Sequence, residues 1–197
     1  MTRIAVLVSG GGTNLQALLS AQAVGKLGSG EITCVIASRA DAFALERARA
    51  AGIETVALPR RDYGSAAAYS DALLVRLRER SIQLVVLAGF LSILEGELLT
   101  AYDRRIINVH PSLIPAFCGP GHYGLRVHEA ALNRGVKVTG ATVHFVDGVV
   151  DGGKILLQKA VEVEPDDTPE TLQRRVMEQV EWELLPKAVE MFCKGEL

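Results

Sequence analysis

The chain has 197 residues, of which 49% are hydrophobic, 22% charged and 5% aromatic, enough for one large domain or two small ones that need no staple. Lys plus Arg number 21 against 23 Asp plus Glu, a net charge of −2; no global field draws nucleic acid, so an anionic ligand must be held by a local site. The slightly positive mean hydropathy excludes disorder, collagen and coiled coil as the main state.

Ile4 to Val8 is a continuous apolar, β-branched run, which suits a strand buried on both faces. Ser9-Gly10-Gly11-Gly12-Thr13-Asn14 follows, and Leu15, Leu18 and Leu19 then fall at helical spacing. Ile32 to Ile36 is a second strand, Asp41 is expected to cap a helix through Ala51, and Gly52 ends it. Glu54 to Leu58 reads as a strand, Ser65 to Ser81 as a helix, and Leu84 to Ala88 and Ile106 to Val109 as further strands. This alternation predicts a mostly parallel sheet with helices on both faces. Pro111 to Gly124 holds three Pro and three Gly and must be a loop. A helix near Val127 to Asn133, strands over Lys137 to Val146 and Ile155 to Val163, and a last helix capped by Thr168 complete the chain. Leu172, Val176, Val180 and Leu184 form the core stripe of that helix, and Pro186 is expected to bend it. The longest apolar run, Leu84 to Leu94, is too short to span a bilayer, and Arg3 and five apolar residues are too few for a signal peptide. Cys34, Cys118 and Cys193 form no CxxC pair and read as reduced thiols. A cytoplasmic protein without a membrane partner is expected.

Three constellations carry chemistry. In the first, three glycines between a strand and a helix let backbone approach an anion, and the helix start favours negative charge. Gly10 and Gly12 fit the first two positions of a dinucleotide fingerprint, but Leu15 replaces the third, and no P-loop Lys follows. A tight turn alone needs only one or two glycines; the third, with Thr13 and Asn14 after it, tips the balance toward a phosphate site. In the second, Asn108 and His110 are two apart on a strand and share a face at its C-terminal end, where ligands bind in open α/β sheets. Histidine suits acid/base work near neutral pH, and an Asn amide can donate to a developing oxyanion. In the third, running from His144 to Gly153, a carboxylate beside His110 would favour its protonated form. Asp147 and Asp151 both qualify, and both also suit ordinary Asp-Gly turns. His110, His122, His128 and His144 show no H-E-x-x-H rhythm or paired Cys, so no metal is expected. No G-x-S-x-G elbow supports a Ser nucleophile.

Ser9-Gly10 to Asn14, Leu87-Ala88-Gly89-Phe90, Asn108-Val109-His110-Pro111-Ser112-Leu113, Thr142-Val143-His144-Phe145-Val146 and Asp151-Gly152-Gly153 occur in an order that covers nearly the whole chain. In this the chain resembles the glycinamide ribonucleotide (phosphoribosylglycinamide) formyltransferases of purine synthesis. The resemblance implies a single Rossmann-like α/β domain over residues 1–197, with a phosphate-binding half, 1–109, and a folate and catalytic half, 110–197. It implies formyl transfer from 10-formyltetrahydrofolate to the amine of glycinamide ribonucleotide, without metal. Asn108, His110 and Asp151 match the catalytic residues, with Asp151 selected over Asp147 by its spacing seven after His144, itself a supporting residue. Gly12, Thr13 and Asn14 match the phosphate contacts. Glu181, five before Pro186, matches a Glu that meets the amine, and it borders the apolar stripe of the last helix. Leu91, Ser92, Ile93 and Leu94 match the folate wall, to which Asn108 also contributes. The partners implied are these small molecules, with the chain a monomer or homodimer. The sequence departs from the family at Ser92, at Ala66, at Trp182 and in its long 116–124 loop, all of which bear on folate contacts and not on the chemistry. The main rival is formyltetrahydrofolate deformylase, which shares the catalytic trio but has an extra N-terminal domain, for which a first strand at Arg3 leaves no room. Methionyl-tRNA formyltransferase carries a basic C-terminal domain that this sequence does not show. A non-catalytic nucleotide-binding module would use Gly10 to Asn14 but not the trio.

Overall fold

Seven strands and seven α-helices follow one another in the computed structural model, which describes all 197 residues. They are β1 (Thr2–Val8), α1 (Thr13–Ala23), β2 (Gly30–Ala37), α2 (Ala44–Ala50), β3 (Glu54–Ala57), α3 (Ala66–Glu79), β4 (Leu84–Leu87), α4 (Glu97–Ala101), β5 (Ile106–His110), α5 (Leu125–Arg134), β6 (Val138–Phe145), β7 (Ile155–Glu162), α6 (Pro169–Val176) and α7 (Trp182–Cys193). One sheet holds all the strands in the order β3-β2-β1-β4-β5-β6-β7. The pairings from β3 through to β5 are parallel, and β6 and β7 add antiparallel to that edge.

The buried runs explain the layers. In β1, Ile4, Val6 and Val8 face a core of 31 buried residues that α1, α2, α6 and α7 cover. Ala5 and Leu7 face a smaller core of 16 beneath α3 and α4. Successive side chains thus serve opposite layers, as the period of a strand requires. The order reverses at β1, where β2 and β4 lie on either side, and a crevice opens at the carboxyl ends of the strands there.

One local expectation needs correction, and two features go beyond the sequence reading. Asp41 does not cap α2: its carboxylate takes the Arg39 guanidinium at 2.7 and 3.0 Å, and α2 starts after Phe43 without a side-chain cap. Residues 97–101 form α4, a single short turn that no periodicity revealed. The last helix departs from α-geometry at Met177–Glu181, and Pro186 lies inside α7. There the Trp182 N–H donates to the carbonyl of Met177, five residues back, a π-turn of the kind that recurs at functional sites. No helix is long and apolar enough to cross a membrane.

Candidate active site

The antiparallel register of β5 on β6 builds the centre of the site. Asn108 lies directly opposite His144, and His110 opposite Thr142, so one sheet face carries Asn108, His110 and His144. The hairpin after β6 then folds Asp151 back onto that face. Its backbone there is left-handed, with φ +55°, and its carboxylate reaches between the two rings. Asp151 Oδ2 lies 3.6 Å from His110 Nδ1, and Oδ1 3.7 Å from His144 Nε2. Asp147, the other carboxylate left open by chemistry, is exposed and accepts the Val149 N–H at 2.8 Å in an ordinary Asx turn.

Hydrogen bonding orients these groups. His144 Nδ1 lies 2.7 Å from the Phe145 carbonyl and must carry a proton to donate there. Its Nε2 lies 3.2 Å from Asn108 Nδ2. One amide N–H of Asn108 is thereby fixed and the second is left for a ligand. His110 Nε2 donates to the carbonyl of Phe117 at 2.9 Å, and the Gly119 N–H donates to Asp151 Oδ2 at 2.8 Å. The Pro- and Gly-rich loop is therefore tied down over His110 and Asp151.

Burial raises the proton affinity of the Asp151 carboxyl, but the His144 ring, the Gly119 N–H and the His110 ring outweigh it and hold the group below the ordinary carboxylate range. His110 behaves differently from expectation. Its Asp151 partner favours the imidazolium, but burial is the larger effect and leaves its pKa below the ordinary value. His128, set aside in the sequence as lacking ligand rhythm, is fully buried near His110 with no partner on either nitrogen. Burial, with the His110 charge second, pushes it down to about 4.

Glu181 arrives from the other side. The π-turn directs both Val180 and Glu181 inward, and the Glu181 carboxylate accepts from Asn14 Nδ2 at 2.6 Å. The side chain of Asn14 thus joins the glycine loop to Glu181. Burial pushes the Glu181 pKa from 4.5 to about 7, against the lowering effect of Asn14. Below about pH 4.5 the group is protonated in folded and unfolded chains alike. As pH rises the unfolded chain ionises first, so this favourable contribution to folding is lost by about pH 7. Glu181→Gln is therefore expected to stabilise the ligand-free protein at pH 8 by up to about 3 kcal/mol, with the gap closing toward acid pH. Urea unfolding of both proteins at several pH values measures this; a gap independent of pH would refute it.

A cleft of about 640 Å³ connects these groups. Of the residues singled out in the sequence, Asn14, Leu91, Ser92, Ile93, Leu94, Asn108, His110, His144, Asp151 and Glu181 all line it. Leu91 and Ile93 present exposed apolar side chains there, as do Val149 and Val150, whereas Leu94 is buried. Gly12 and Thr13 do not line the cleft. Thr13 borders a larger groove of about 870 Å³ between α1 and α7 that contains none of the acid–base groups, and its hydroxyl donates to Met177 Sδ at 3.2 Å. Gly12 has φ +74°, and a Cβ there would meet Ala44 Cβ at 2.6 Å.

Ser9, in the sequence only the residue that opens the glycine loop, makes contacts of its own. Its buried hydroxyl accepts the Leu91 N–H at 2.9 Å and lies 2.7 Å from the Ser38 hydroxyl, tying the glycine loop to the apolar wall. A serine after an apolar strand carries no signal of that role. Phe117 and Gly119 act through backbone atoms, which composition does not reveal. No cluster of three or more His, Cys, Asp or Glu side chains is placed to hold a metal ion.

The formyl transferase family matches residues 2–189. The chain is 37% identical to phosphoribosylglycinamide formyltransferase of Haemophilus influenzae, covering 100% of this chain and 90% of that protein. It is 38% identical to the chloroplastic phosphoribosylglycinamide formyltransferase of Vigna unguiculata over 99% of this chain, but spans only 62% of that protein's length. Among solved structures, glycinamide ribonucleotide transformylase 1 from Symbiobacterium toebii superposes with a TM-score of 0.92 at 46% identity, covering 99% of this chain and 89% of that one. With sequence and fold matched from end to end, the chain belongs to the formyl transferase family.

Proposed function

We propose that this protein transfers the formyl group of 10-formyltetrahydrofolate to the amine of glycinamide ribonucleotide, giving formylglycinamide ribonucleotide and tetrahydrofolate in purine biosynthesis. One observation carries the reading: the Asn108, His110 and Asp151 cluster opens into the same cleft as Glu181 and Asn14. A donor group and an amine acceptor can therefore meet without a protein nucleophile. The names of the matched relatives support the same activity.

In this reading the amine attacks the formyl carbon, and its oxygen gains negative charge. The free N–H of Asn108 and the His110 Nε2–H, once released from Phe117, are the donors that stabilise it. Asp151 holds the His110 ring in place and offsets part of the burial penalty on its protonated form. The amine must lose a proton as the leaving folate nitrogen gains one. Glu181, with a pKa of about 7, is matched to take up the amine end near neutral pH. The exposed apolar side chains of Leu91 and Ile93 form the wall for the flat folate ring. The backbone N–H groups of Gly11 to Leu15 donate to no protein acceptor, and with the start of α1 they suit the ribonucleotide phosphate. The three free cysteines fit a cytoplasmic enzyme, a monomer or homodimer.

The test is tetrahydrofolate release. Slow release is expected from 10-formyltetrahydrofolate alone and fast release once glycinamide ribonucleotide is added, with the formyl group recovered on the amine. Held reactants replace a bimolecular encounter, and the remote phosphate contributes to that holding. The same substrate without its phosphate should react far more slowly. Rapid formate production regardless of the ribonucleotide would make the protein a deformylase.

A further inference from the structure

We infer that Arg47 is a positioning residue that aims the backbone N–H groups of Gly11 and Gly12 at the ribonucleotide phosphate. This inference rests on the phosphate reading of the glycine loop. In a trans peptide unit the carbonyl and the following N–H point in opposite directions. Two consecutive carbonyls of the turn are held from α2. The Gly10 carbonyl accepts the Ala44 N–H at 3.0 Å, and the Gly11 carbonyl accepts Arg47 Nε–H at 2.9 Å. With both carbonyls drawn toward α2, the N–H groups of Gly11 and Gly12 face the other way, and neither meets a protein acceptor.

Arg47 is itself held on three sides. Its Nη1 donates to Gln16 Oε1 at 3.1 Å, which ties it to α1. Its guanidinium lies 5.2 Å from the centre of the Phe43 ring. Its neighbours Arg39 and Arg49 are neutralised by Asp41 and Glu46, but no carboxylate lies within ion-pair distance of Arg47. A half-buried, unpaired cation thus stands behind a turn whose other side presents free donors. The planar fork makes the Gly11 bond, the Gln16 bond and the ring contact together; a lysine ammonium can replace only the first.

Steady-state kinetics of the full chain test this, with glycinamide ribonucleotide and its dephosphorylated riboside as amine substrates. Arg47→Met is expected to raise KM for the ribonucleotide about 10-fold, the worth of one hydrogen bond to a charged group. It should leave kcat, the KM for 10-formyltetrahydrofolate and kcat/KM for the riboside unchanged. Arg47→Lys should recover part of the loss, and it carries the same test if Arg47→Met does not fold. A wild-type KM for the ribonucleotide in both variants overturns the inference, as does a KM increase shared by the riboside. A wild-type enzyme that does not distinguish ribonucleotide from riboside removes the phosphate reading itself, and the role of Arg47 with it.

Discussion

Asp151→Asn is expected to lower kcat by about 10²-fold or more, the usual worth of a positioned acid–base partner, with little change in either KM. The substitution keeps shape and volume but removes the one charge that faces both rings, at 3.6 Å from His110 and 3.7 Å from His144. Burial already lowers the His110 pKa, and the Asp151 charge is one of the two effects that oppose it. Without that charge the protonated form becomes scarcer, and the limb of the pH profile that reports His110 should move to lower pH. Asp147→Asn serves as the control. Its carboxylate only closes an exposed turn, so near-normal kcat is expected. A severe Asp147 variant beside a near-normal Asp151 variant would reverse the assignment.

The second large effect belongs to Gly12→Val, expected to raise KM for the ribonucleotide by about 10²-fold while folate-analogue binding holds. Two costs add. A left-handed backbone costs a non-glycine residue about 1–2 kcal/mol, and Gly12 sits at φ +74°. The new side chain also collides with Ala44, whose Cβ is 2.6 Å and Cα 2.9 Å from the position of the added Cβ, an overlap worth about 1–3 kcal/mol. The turn can relieve both only by moving away from α2, which turns its N–H groups off their present aim. Equal weakening of both ligands would instead mark a general packing defect.

Much of this architecture is legible from periodicity. The run Ile4 to Val8 announces a doubly buried strand because every residue in it is apolar, and the structure buries all five. Asn108 and His110 announce a shared face because strands have a period of two. Neither pattern contains the register that sets His144 opposite Asn108, because pairing depends on which strands meet. Asp41 misled because its side chain had a stronger partner, Arg39, two residues away. Apart from the family resemblance, the pattern shows Glu181 only as a residue beside an apolar stripe. Its inward turn comes from one extra residue in a helical turn, which a regular 3.6-residue spacing cannot represent. The electrostatics of His110 are half legible: the sequence offers the carboxylate, but the depth of burial that outweighs it is a property of the assembled sheet and loop.

The bond from His110 to the Phe117 carbonyl makes the resting site self-capped. A buried N–H left bare would carry a desolvation penalty, and the loop removes it by lending its own oxygen. Any substrate oxygen that takes this proton displaces Phe117, so the encounter exchanges one acceptor for another. In the proposed reaction, the apparent affinity for the formyl donor would be the intrinsic affinity reduced by the fraction of molecules whose loop has let go. On that reading, substitutions in the 116–124 segment that weaken its hold on His110 would change donor affinity and leave the chemistry in place.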